Sequence, residues 1–204
     1  MASETDTLDG RVTGVILAGG QARRMGGIDK GLVELNGVAM CKIVIDRLQP
    51  QVSEVLVNAN RNLALYNRFG VRVICDETPG FLGPLAGLAS AMAAARSHWV
   101  ITVPCDGPFL SGDYVARMTK MAAEDVEIVV ARDSDRLQPT YILAQKRLLD
   151  SLDAFLRSGE RKIDRWFVRH RYAEADFSDS PQCFLNINTE QDRNKAQLRI
   201  SQDG

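Results

Sequence analysis

Histidine and cysteine are scarce: His98 and His170 are the only histidines in 204 residues, beside Cys41, Cys75, Cys105 and Cys183. The cysteines fall at long, irregular intervals with no C-x-x-C pair. That argues against a disulfide scaffold and gives a Cys/His zinc site little to draw on. They read as small apolar residues of a cytoplasmic protein. No apolar run approaches the roughly 18 residues that span a bilayer, so no membrane partner is expected. Neither sign of charge is in excess: 25 Lys+Arg stand against 26 Asp+Glu, without the basic surplus of a general nucleic-acid binder. Residues 1–10, MASETDTLDG, lack the basic start and apolar middle of a secretion signal. They are expected to form a disordered tail ahead of one domain, 11–204, since no linker, repeat or low-complexity segment interrupts the rest.

What is present is an alternation of apolar runs and helical patterns. Strands are predicted at Val12 to Leu17, Ser53 to Val57, Val71 to Cys75, Trp99 to Val103, Glu127 to Ala131, Thr140 to Leu143 and Phe184 to Ile187. Helices are predicted over Ala39 to Leu48, Leu63 to Phe69 with Gly70 as its stop, Leu85 to Arg96, Ser111 to Ala123 with Ser111 as N-cap, Lys146 to Leu156 and Arg161 to His170. Thr189 is expected to cap a last helix. The strands are apolar nearly throughout, as when both faces are covered. The class is therefore α/β: a mostly parallel central sheet flanked by helices, with residues 127 to 143 as a candidate excursion.

In such sheets ligands bind beyond the carboxyl ends of the strands. The first strand runs into Leu17-Ala18-Gly19-Gly20, then Gln21-Ala22-Arg23-Arg24-Met25-Gly26-Gly27, with Lys30 close behind. Glycine lets a backbone approach a ligand closely, and successive exposed N–H groups form an anion nest. Arg24 can fork onto phosphate oxygens and Lys30 supplies a point charge, so a di- or triphosphate is the natural ligand. The loop is neither a P-loop nor a G-x-G-x-x-G turn. Asn58, Asp76 and Asp106 follow the second, third and fourth strands. Asp106 suits Mg²⁺, which takes one or two carboxylates and completes its shell with water and phosphate oxygens. Each has a blander reading, as a turn or helix cap. Gly83-Pro84-Leu85-Ala86-Gly87 opens a helix whose small residues could admit a flat base. The basic stretch Arg157 to Arg171 is either a solvated face or a dock for an anionic second substrate. Cys105 has no histidine nearby in sequence to activate it.

Leu17 to Leu32, LAGGQARRMGGIDKGL, resembles the nucleotidyltransferase signature of the molybdenum cofactor guanylyltransferases. The resemblance continues through Val33 to Gly37, Val57 to Arg61, Gly83 to Gly87, Pro104 to Asp106, Gln138 to Thr140 and Phe184 to Thr189. It implies a three-layer Rossmann-like domain that transfers GMP from GTP to the terminal phosphate of molybdopterin, or molybdenum-molybdopterin, and releases pyrophosphate. It implies that Leu17, Ala18, Gly19, Gly20, Lys30, Asn58, Asp76 and Asp106 bind GTP, that Asp106 also binds Mg²⁺, and that Arg24, Lys30 and Asp106 are catalytic. Gly27 matches the same signature. Asn186 and Asn188 match the pair on the molybdopterin side. Other cofactor-biosynthesis proteins and acceptor molybdoenzymes enter as partners by the same route. Gln138 stands where family members often have His, and Gly19 stands where related cytidylyltransferases carry Leu-Ala-Ala-Gly, which favours guanine. Another acceptor, such as a sugar phosphate, another base, or a GTP/molybdopterin carrier without chemistry remain the alternatives.

Overall fold

The computed structural model describes residues 12–20, 29–77 and 83–200. The expected tail 1–10 and the 21–28 stretch with Arg24 and Gly27 lie outside them. β1 (Val12–Leu17) is followed by a two-residue-per-strand hairpin, β2 (Glu34–Leu35) and β3 (Val38–Ala39), and by α1 (Met40–Leu48). Then come β4 (Glu54–Asn58), α2 (Leu63–Tyr66), β5 (Arg72–Ile74), α3 (Pro84–Ala94), β6 (Trp99–Pro104) and α4 (Tyr114–Lys120). β7 (Ile128–Arg132), β8 (Leu137–Gln145), α5 (Leu149–Arg157), α6 (Ile163–Phe167), β9 (Tyr172–Asp176) and α7 (Glu190–Ile200) complete the order.

Seven strands form one sheet in the order β5-β4-β1-β6-β8-β7-β9. Only β8 runs against the others: it pairs antiparallel with β6 and β7, while every other pairing is parallel. Residues 127 to 143 are thus no excursion but two strands of the main sheet. Alternation along the strands divides the core. Ile16, Ile101, Val103 and Val129 face α1 and α4, with Val44, Leu48 and Met118. Val15, Val100, Ile128 and Val130 face α3, α5 and α6, with Leu88, Leu152 and Trp166. Each such buried side chain contributes about 1.5–3 kcal/mol of transfer free energy. The result is three layers. Among the described residues no helix is long and apolar enough to cross a membrane.

Several boundaries differ from expectation for identifiable reasons. Ser111 does not cap α4. Its hydroxyl bonds the Asp113 carboxylate, and the amide of Val115 is taken instead by the side-chain carbonyl of Gln51 at 3.0 Å. The expected strand Phe184 to Ile187 is absent. Pro181 opens a 3₁₀ turn (Pro181–Phe184) that drives Phe184 against Tyr141 and Phe177, at 4.8 and 5.4 Å between ring centres. The chain then crosses the sheet's end, where the amide of Ile187 donates to the carbonyl of Asp106 at 2.9 Å. β9 is an edge strand whose Tyr172, Glu174 and Asp176 leave only Ala175 fully buried. Thr189 does cap α7: its hydroxyl accepts the Asp192 amide at 3.1 Å while the Asp192 carboxylate accepts the Thr189 amide at 2.9 Å, a capping box.

His170 sets a pH dependence. Its ring packs edge-on to Trp166 at 5.2 Å and shares a 3.0 Å hydrogen bond with Ser151. Burial lowers its pKa from 6.5, with Arg147 and Arg169 adding to that and Glu127 opposing it. The unfolded chain therefore binds a proton that the folded one resists, so this stability is present above pH 6.5 and lost as pH falls through the folded value. The thermal midpoint should fall between pH 7 and pH 5, and His170→Asn should flatten that fall. An unchanged slope in the variant would assign the effect elsewhere.

Candidate active site

The parallel strands all end on one edge of the sheet, and backbone bonds carry the ladder past them. The Ala18 amide donates to the Asn58 carbonyl at 2.8 Å, Cys105 to Leu17 at 3.1 Å and Ala59 to Ile74 at 2.9 Å. Leu17, Ala18, Gly19, Gly20, Asn58, Asp76 and Asp106 thereby line a common edge. Two polar clusters form there.

The first is built on Asp76. Asn58 donates to one of its carboxylate oxygens at 2.9 Å and Asn60 to the other at 2.7 Å, while the Asp76 amide donates back to the Asn60 side chain at 2.9 Å. Asn58 is 2% exposed, and its free oxygen points toward Gly87. Gly83, extended at φ +84° and ψ −172°, a conformation open essentially to glycine alone, lets Pro84 start α3 beside this cluster. Asn60 thus joins the site residues expected from sequence. Its signal is the Asn58-x-Asn60 alternation at a strand's end.

A test of this packing is Gly87→Ala. An alanine Cβ would lie 2.5 Å from the Asn58 oxygen and 2.8 Å from Leu17 Cδ2. Ala gains about 1 kcal/mol of helix propensity over Gly, but overpacking costs about 1–3 kcal/mol. Asn58 is pinned by Asp76 and cannot give way, so the clash wins. We expect the thermal midpoint to fall by several degrees, and an unchanged midpoint would show that the packing around Gly87 gives way.

The second cluster joins Lys30, Asp106 and Asn188. Lys30 Nζ lies 2.9 Å from Asp106 Oδ2 and also donates to Asn188 Oδ1. Both charges are partly screened, with side chains 22% and 15% exposed. Asn186 is brought to the same place: its Oδ1 lies 3.5 Å from where a Cβ on Gly107 would stand. The C-terminal segment, distant in sequence, thus folds onto Lys30 and Asp106. Behind Asp106, burial and the Asp106 charge push the Cys105 thiol well up, which keeps it protonated and inert.

Behind Lys30 stands a third set absent from the sequence reading. Buried Asp29 accepts from Tyr66 Oη at 2.6 Å and Asn62 Nδ2 at 3.0 Å, and Arg61 Nε lies 3.5 Å away. Its only sequence signal is a carboxylate immediately before Lys30.

Gln138 is 8% exposed and donates to Asp133 at 2.6 Å, so it serves the β7–β8 turn. The basic stretch wraps α5 and α6: Arg165 pairs with Glu160, Arg171 with Glu127, and Arg169 stacks over Phe155. It behaves as the solvated face. Asp106 can hold a divalent metal. It is a hard oxygen donor, although no group of three or more His, Cys, Asp or Glu gathers among the described residues, here or elsewhere. One carboxylate fits an ion whose other ligands are water and phosphate.

Residues 14–175 match the family described as the MobA-like NTP transferase domain. A molybdenum cofactor guanylyltransferase of Shewanella sp. (strain W3-18-1) is 50% identical over 196 residues, covering 96% of this chain and all of that protein. The crystal structure of molybdopterin-guanine dinucleotide biosynthesis protein A from Archaeoglobus fulgidus superposes with a TM-score of 0.79 at 22% identity, over 93% of this chain and 99% of that one. A Mycobacterium tuberculosis protein solved in complex with manganese gives a TM-score of 0.65 at 17% identity, over 92% of this chain and 98% of that one.

Proposed function

Because this chain belongs to the molybdenum cofactor guanylyltransferases within the MobA-like NTP transferase family, we propose that it transfers GMP from GTP to the terminal phosphate of molybdopterin or molybdenum-molybdopterin. The products are the guanine dinucleotide form of the cofactor and pyrophosphate. The observation that carries this reading is the meeting of Lys30, Asp106 and Asn188 beyond the glycine turn that ends β1. We read residues 11–204 as one cytoplasmic nucleotidyltransferase domain, served by cofactor-biosynthesis proteins and serving molybdoenzymes.

The acceptor is a phosphate monoester whose second pKa is about 6, so it is a dianion at neutral pH and needs no general base. Its oxygen attacks the α-phosphorus in line. The new P–O bond forms as the bond to the bridging oxygen breaks, and pyrophosphate leaves with that electron pair. No proton must be removed from the nucleophile, and no covalent enzyme intermediate forms. The obstacle is repulsion between two anions, so the chain's task is positioning and charge neutralisation. Leu17, Ala18, Gly19 and Gly20 present backbone to the nucleotide, and Asn58 and Asp76 hold its nucleoside end. Lys30 turns its ammonium from Asp106 toward the departing phosphates. Arg24, outside the described residues, is assigned to the same charge. Asn186 and Asn188 face the acceptor. Asp106 would hold Mg²⁺, which would supply Lewis-acid neutralisation of the reacting phosphates.

The test is incubation with MgGTP or MgCTP and molybdenum-loaded molybdopterin, read by mass spectrometry and pyrophosphate release. A guanine dinucleotide, with little product from CTP, is expected. Tight GTP binding with no product would move the reading to another acceptor or to a carrier.

A further inference from the structure

Lys30 is a long side chain, and its aim depends on the backbone beneath it. Asp29, one residue earlier, is a carboxylate only 6% exposed. A buried charge is costly, and stability alone is often served as well by an apolar residue. Here the charge meets two directed donors and a neighbouring guanidinium. Tyr66 Oη and Asn62 Nδ2 bond its two oxygens, at 2.6 and 3.0 Å, and Arg61 Nε stands 3.5 Å from the second. The same guanidinium donates from its Nη2 to the carbonyl of Gly20 at 3.3 Å. One side chain thus spans from the glycine turn after β1 to the residue that precedes Lys30.

The local backbone is built around this set. The Asp29 carbonyl accepts the Leu32 amide at 3.0 Å and so starts the 3₁₀ turn Lys30–Leu32. Gly31 lies against the Tyr66 hydroxyl, with no room for a Cβ. Asn62 holds φ at +53°, a left-handed conformation that asparagine tolerates better than most residues, and from it the Asn62 side-chain Nδ2 donates to Asp29. Burial raises the Tyr66 pKa, and the Asp29 hydrogen bond adds to it, so the phenol remains a donor at physiological pH.

We propose that Asp29 and Arg61 are positioning residues for the nucleotide's phosphates. Asp29 anchors the turn from which Lys30 projects, and Arg61 couples that anchor to Gly20. Neither touches the reacting atoms. The proposal rests on the nucleotide reading of the site and adds to it what sets the lysine's position.

The experiment is a double-mutant cycle on GTP affinity, measured by calorimetry with Mg²⁺ and no acceptor. Asp29→Asn and Lys30→Ala should each raise the Kd about tenfold, and the double variant little more than either alone, because residues acting through one another are non-additive. A merely structural Asp29 gives additive losses, about a hundredfold in the double variant, and overturns the proposal. So does wild-type affinity in Asp29→Asn. Arg61→Ala, whose side chain is 28% exposed, runs through the same cycle and decides the matter if Asp29→Asn does not fold. Arg61→Lys should recover part of the loss, since an ammonium reaches one of the two partners but cannot fork to both. No recovery over Arg61→Ala counts against the bridge. A wild-type chain that binds no GTP would instead overturn the nucleotide reading itself, which separates the two failures.

Discussion

Asp106→Ala should reduce pyrophosphate release from GTP and molybdopterin by about a thousandfold or more, the scale set by losing the carboxylate that, in the proposed reaction, would hold a charge-neutralising divalent ion. The fold should survive. Asp106 holds its neighbours mainly through its backbone: its carbonyl accepts the Ile187 amide at 2.9 Å, and alanine keeps that bond. The lost side-chain contact is the 2.9 Å pair with Lys30, which is partly exposed and retains Asn188 as an alternative acceptor. A partly solvated pair of this kind contributes about 1 kcal/mol or less, so the thermal midpoint should move only a few degrees. Asp106→Asn sharpens the test. It leaves an oxygen for Lys30 but removes the charge that would hold a divalent ion, and should be almost as inactive as alanine. Near-wild-type turnover in either variant at saturating Mg²⁺ would remove Asp106 from the metal site.

The parts of this site legible in sequence share a physical cause. β1, β4 and β6 are buried on both faces, so their apolar runs stand out, and the polar residue ending each run marks the ligand edge. Asn58 and Asp106 were therefore readable one strand at a time. β9 gave no such signal because an edge strand with alternating charges has only one face to bury. The β2–β3 hairpin carries a signal the strand pattern alone does not show: Asn36 and Gly37 both hold positive φ, at 50° and 81°, as an Asn-Gly turn between strands requires. What sequence cannot display is pairing across distance. Lys30 and Asn188 meet only because the chain after Phe184 crosses the sheet's end, where an apolar pattern suggested another strand. Asp29 looks like any surface carboxylate until Tyr66, Asn62 and Arg61 are folded onto it.

Lys30→Ala should lower kcat/KM for GTP by about a hundredfold, with KM raised and kcat reduced together. Lys30 carries three N–H donors, and two are engaged by Asp106 and Asn188. In the proposed reaction, binding a triphosphate would exchange those partners for phosphate oxygens, which would raise affinity. The same ammonium would then meet more negative charge as pyrophosphate departs, which would lower the barrier. A group that bound ground state and transition state equally would change KM alone, so the fall in kcat is what places Lys30 at the leaving group. Lys30→Arg should restore GTP binding better than turnover. The charge persists, but a planar fork cannot occupy the point position that a lysine takes between Asp106 and Asn188. If Lys30→Ala raised KM with kcat unchanged, Lys30 would be a ground-state phosphate contact, and the leaving-group charge would fall to Arg24. If both constants stayed within about threefold of wild type, roughly the 0.6 kcal/mol that scatter and small packing effects produce, the ammonium would not be at the phosphates at all. In that case its pairing with Asp106 would be structural only.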